Sequence, residues 1–155
     1  MNRRIFLHGL GAALAGAPLA VLAGVPALAQ GRQTFSRVVA DTRPLEARGG
    51  GGAAAVLRPY LQQSLQRVFA GRIGRGPVLT ARVQTLQMAS FAGSDRFGGV
   101  QSDFLEGEAV IGQERIPFLV SLPASTAGSG HLPGSDEWRL RALADAFAGW
   151  IARRV

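Results

Sequence analysis

The sequence predicts an α+β fold, a two-layer sandwich in the order β-α-β-β-β-α, with two helices on one side of a four-stranded, mainly antiparallel sheet. Three observations carry this expectation. Apolar residues alternate with polar ones at Leu79, Ala81 and Val83, at Leu105, Ala109 and Ile111, and at Ile116, Phe118, Val120 and Leu122, which is the period of a strand. They recur every three to four residues at Leu57, Leu61 and Leu65, and again at Leu140, Leu143, Phe147 and Ile151, which is the period of a helix. Each segment has one apolar face only, so packing both helices on one side of the sheet buries all of it economically.

The first 29 residues stand apart from that pattern. A basic start (Arg3, Arg4) precedes an uncharged Ala, Leu, Gly and Val stretch from Gly9 to Val25, and Ala27 and Ala29 supply a small-x-small ending. That is the layout of a cleavable export signal. Residues 1–29 are therefore expected to be removed after Ala29, leaving 30–155 as one domain. Within the leader, Asn2-Arg3-Arg4-Ile5-Phe6-Leu7-His8 resembles the twin-arginine signal, with Phe6 and Leu7 at the pattern's offsets from the arginine pair. The resemblance implies contact with the twin-arginine translocase and signal peptidase, and delivery to the periplasm. Pro18 and Pro26, with the high Ala and Gly content, make the run a weak membrane anchor.

Composition limits the chemistry. Cysteine is absent, so disulfides, thiolate metal sites and cysteine nucleophiles are excluded, as is a lipid-modified cysteine. All 17 basic residues other than the histidines are arginines, against 10 acids. Without Arg3 and Arg4 the charge falls from +7 to +5. Such a surplus favours anionic headgroups or an acidic protein partner; nucleic acid is a poor match for an exported chain.

Along the rest of the chain, Thr34 to Asp41 has the valines of a first strand. Thr42 to Gly52 contains Pro44 and four consecutive glycines and reads as a loop. The helix following it is expected to begin within a turn of Pro59, because proline is tolerated near a helix start. Gln62 is assigned to its polar side. Gly71, Gly74 and Gly76 then read as its stop signal. Pro77 to Ser90 forms the clearest strand, but Leu86 and Met88 change parity from Leu79 to Val83, which requires a bulge near Gln84 or Thr85. Ser102 to Ile111 and Arg115 to Leu122 pair as a hairpin through a tight turn at Gly112 to Glu114. Pro117, lacking an amide hydrogen, places the second of these at an edge. Phe91 to Gln101 and Pro123 to Gly134 read as loops. Ser135 is the expected N-cap of the last helix, with Trp138 and Trp150 as flanking anchors.

No catalytic, cofactor-binding or metal-binding set emerges. His131 lies near Ser125, Ser129 and Asp136, which suggests a small hydrolase, but the nucleophile elbow is missing. Glu106 and Glu108 share the polar face of one strand while Asp103 points to the other; cross-strand pairing with Arg82 or Arg115 is the simpler use of these acids.

In element order, residues 34 to 153 resemble LptE-type envelope proteins and the auxiliary subunits of lipid-transport ABC systems. The segments Leu105-Glu106-Gly107-Glu108-Ala109 and Leu122-Pro123-Ala124-Ser125 are similar to stretches of exported proteobacterial proteins. The want of a catalytic set, together with the exposed loops, favours a non-enzymatic periplasmic module, binding an envelope protein or anionic lipid through the Phe91 to Gln101 loop or an arginine-bearing helix face; the likeness in element order carries no functional residue over. A hydrolase at the His131 loop, or a carrier of a small ligand or lipid, are the alternatives.

Overall fold

The first strand, β1 (Phe35–Asp41), buries Val38 and Ala40 and turns Arg37 and Val39 the other way. This alternation sets the inner and outer faces of the whole sheet. A computed structural model describes residues 33–89, 102–124 and 134–155. After β1 come a single helical turn, α1 (Arg43–Leu45), a π-type turn at Glu46–Gly50, and α2 (Gly51–Val68). A 3₁₀ turn at Ala70–Arg72 leads to β2 (Ile73–Gln87), followed by β3 (Ser102–Ile111), β4 (Glu114–Pro123) and α3 (Ser135–Arg154).

The four strands lie side by side in chain order. β1 runs parallel to β2, with α2 in the crossover between them, and the other two pairings are antiparallel. The expected α+β sandwich is therefore present, its sheet mixed at one edge. The bulge required by the parity change falls between Val83 and Thr85, and both Leu86 and Met88 consequently pack against the core. β4 is an edge strand, as Pro117 demands, and Ile111 faces Glu114 across the two-residue turn.

The inner layer contains Leu79, Ala81, Val83, Leu105, Ala109, Phe118 and Val120 from the strands, against Leu57, Leu61, Leu65, Leu143, Phe147 and Ile151 from the helices. Each fully buried Leu or Phe contributes about 1.5–3 kcal/mol of transfer free energy. Phe147 stands edge-on to Phe118 at 6.1 Å, and Gly107 leaves it room. A Cβ on Gly107 would lie 2.1 Å from the Arg82 carbonyl oxygen and 3.0 Å from the tip of Phe147.

Several local expectations fail for physical reasons. The four glycines are not a loop. Gly51 and Gly52 are already in α2, Gly50 is its N-cap, and Gly49, at φ 90°, takes the left-handed conformation that breaks the preceding turn from it. Pro59 lies inside α2 rather than at its start. Ala54 and Leu57 before it and Leu61 and Leu65 after it are all buried on one stripe, and their packing outweighs the roughly 3 kcal/mol cost of an interior proline.

Gly74 and Gly76 belong to β2, not to a helix stop. At φ 147° Gly76 lets β2 approach β1, where a Cβ would lie 2.2 Å from the Thr34 carbonyl oxygen. The register between the two strands jumps there, from Phe35 opposite Ile73 to Arg37 opposite Val78. Ser135 is the first helical residue rather than the cap, which is Gly134 at φ 83°. Trp138 and Trp150 remain 67% and 49% exposed and stay out of the core, although Arg153 stacks over the Trp150 ring.

Gln62 also departs from expectation. Its side-chain oxygen accepts from the Ala40 amide at 2.8 Å and its amide nitrogen donates to the Val38 carbonyl at 3.0 Å. It therefore satisfies the outer edge of β1 in place of another strand, blunting a site of edge-to-edge pairing.

Candidate functional site

Both helices pack on the inner face, so among the described residues no layer lies over the outer face of the sheet. The register puts Asp41 of β1 opposite Arg82 of β2, and Arg82 opposite Glu108 of β3. The result is a chain of alternating charge. Arg43 grips Asp41 through Nε at 2.8 Å and Nη2 at 3.0 Å; Arg82 donates to Asp41 at 3.3 Å and to Glu108 at 3.0 Å; Arg115 reaches Glu108 at 3.1 Å. Hydrogen bonds from Arg43 hold the Asp41 carboxyl at about 2, against a usual 3.8, in spite of its burial. The expected pairing of Glu108 with Arg82 and Arg115 is thus present. Glu106 shares the outward parity and is exposed.

At the β1 end this ladder borders an open groove of about 370 Å³. Val39 and Val78 form its floor with the Thr80 hydroxyl. Arg37 and Asp41 come from β1, Arg43 from the start of α1, and Arg58 from α2, one turn before Gln62. Among the described residues no carboxylate is within ion-pair distance of Arg37 or Arg58. Three arginines against one carboxylate leave two positive charges in the lining. Chemically, such a surface can bind and orient an anion through forked N–H donors.

The third acid considered from the sequence has a different place. Asp103 is buried on the inner side and pairs with the equally buried Arg139 of α3, whose Nε donates to it at 2.7 Å. Asp103 also accepts from the Ala89 amide, while Arg139 donates to the Ala89 carbonyl and to Asp136. The hydrogen bond to Asp103 raises the Arg139 pKa further, so the guanidinium stays charged. It fixes the end of β2, the start of β3 and the first turn of α3 together, which is a structural task.

A smaller surface hollow of about 150 Å³ is lined by Tyr60, Glu137, Trp138 and Arg141. The Tyr60 hydroxyl donates to Glu137, which raises the phenol pKa, and Arg141 stands over the Tyr60 ring at 5.5 Å.

His131, Ser125, Ser129 and the Phe91 to Gln101 loop lie outside the described residues, as do Arg3, Arg4, Phe6, Leu7, Ala27 and Ala29 of the leader. No group of three or more His, Asp or Glu side chains that could hold a metal ion occurs among the described residues. Strand parity in the sequence already puts Arg37, Val39 and Asp41 on one face. What it lacks is any signal that Arg58 of the following helix would turn toward the same strand. Comparison with protein-family models, with curated proteins and with solved structures finds no match for this chain.

Proposed function

We infer that this chain is a non-catalytic binding module of the cell envelope, delivered to the periplasm by a cleavable twin-arginine signal, and that it holds an anionic partner against the uncovered face of its sheet. The observation that carries the reading is the groove at the β1 end, which both Arg37 and Arg58 line without a carboxylate within ion-pair distance of either among the described residues. The net positive charge of the chain adds a longer-range attraction of the same sign. The order of residues 1–29 supports the export half of the proposal.

A photocrosslinking residue placed at Thr80, in the groove, is expected to give adducts in intact host cells. The same residue at Leu119 on β4, the opposite edge of the sheet, or at Gln63, on the outer side of α2, is expected to give far fewer. Adducts of equal yield at all three positions, or none at Thr80, would remove the reading. Changing Arg3 and Arg4 to lysine is expected to retain the precursor in the cytoplasm, and normal delivery of that variant contradicts the twin-arginine route.

A further inference from the structure

We propose that the groove formed by Arg37, Arg43, Arg58 and Thr80 is a binding site for a phosphate group carried as a dianion. The proposal deepens the binding reading above and rests on it. The charge count is the first argument. Asp41 is already neutralised by its two arginine partners, so the excess positive charge lies with Arg37 and Arg58 on either side of the β1 edge. A doubly charged group matches that excess, and a singly charged carboxylate leaves half of it unmet.

Donor geometry is the second argument. Guanidinium groups present forked N–H pairs that match phosphate oxygens, and the Thr80 hydroxyl adds a donor from the floor. Arg43 is held in one orientation by its two-point contact with Asp41, so one wall of the groove is organised before any ligand arrives. Preorganisation of this kind lowers the ordering cost of binding.

The third argument concerns what carries the phosphate. Val39 and Val78 are half-buried in the floor, which favours a group attached to a small apolar or glycerol-like body. A soluble phosphate monoester and the monoester headgroup of phosphatidic acid both present this chemistry, and they are separated by the probes used.

The test titrates the purified domain with inorganic phosphate at low ionic strength, where surface charge is least screened. Saturable binding is expected. The Arg37→Gln/Arg58→Gln variant is expected to bind roughly tenfold or more weakly, while Arg153→Gln/Arg154→Gln, which removes equal charge from the end of α3, stays within about twofold. All four substitutions are at exposed positions, and unchanged unfolding midpoints verify the fold.

Glycerol 3-phosphate and vesicles containing phosphatidic acid then identify the source. Comparable affinities indicate a soluble monoester, and much tighter vesicle binding that is lost in the groove variant indicates a headgroup. Absence of saturable phosphate binding, or equal weakening in both double variants, overturns the proposal. If phosphate fails while crosslinks at Thr80 persist in cells, only the phosphate assignment falls; if both fail, the binding reading falls with it.

Discussion

Arg139 of α3 and Asp103 of β3 form a buried ion pair that ties the final helix to the sheet, each side chain only 3% exposed. The pair is completed by both backbone polar groups of Ala89, so none of its charge is left to the apolar core. Removing one member strands the other in a medium that solvates charge poorly. Asp103→Ala is expected to destabilise the domain by about 3–5 kcal/mol, and Asp103→Leu/Arg139→Met together by much less. Urea unfolding of the three proteins checks this; equal losses in the single and double variants would show that the pair is not coupled.

Gly107 gives a second prediction, because its lack of a side chain is what lets β2, β3 and α3 come together. Gly107→Ala puts a Cβ against the Arg82 carbonyl and the Phe147 ring, and overpacking of this kind costs about 1–3 kcal/mol. Gly149 offers the contrast. It lies inside α3, where an added Cβ meets only the far end of Arg153 at 3.8 Å. Gly149→Ala is therefore expected to stabilise by about 0.5–1 kcal/mol through helix propensity. Thermal unfolding midpoints moving in opposite directions bear out the pair of predictions, and a fall for both contradicts them.

The low pKa of Asp41 makes part of the stability acid-sensitive. The carboxyl titrates at about 2 in the folded chain and near 3.8 when free of its partners, so the folded state holds its proton less tightly. Its contribution is fully present above about pH 4 and disappears as pH falls through about 2. The size is at most about 2 kcal/mol, reduced because Arg43 is largely in water. The stability gap between the native chain and Asp41→Asn is expected to close over that window. A gap that stays constant from neutral pH to pH 2 contradicts the assignment.

The sequence carried the architecture because β3 and β4 each keep one parity and each helix one stripe. Even the bulge was legible, since Leu86 and Met88 cannot share a face with Leu79 and Val83 without one. Local helix limits were less legible. Four glycines and Pro59 argue against a helix by propensity, and only the tertiary burial of Ala54 and Leu57 overrides them. Arg72 was hidden for another reason. It is buried under Phe35 and Phe69, with its guanidinium 5.4 and 5.0 Å from their rings, and donates to the Gln33 and Ala152 carbonyls; nothing in the spacing of one arginine announces partners so far along the chain. The groove belongs to the same class, because Arg37, Arg58 and Thr80 come from three elements whose relative placement is a tertiary fact.

The claim on which the functional account depends is that anions bind at the β1 end of the uncovered sheet face and not over the arginine-rich surface at large. Backbone amide shifts of the isotope-labelled domain, followed by NMR during titration with inorganic pyrophosphate, test it most directly. The account predicts saturable shifts confined to residues 37–43, 58 and 78–82, with Arg153 and Arg154 unmoved. Shifts spread evenly over the exposed arginines, or none in the groove, would contradict it.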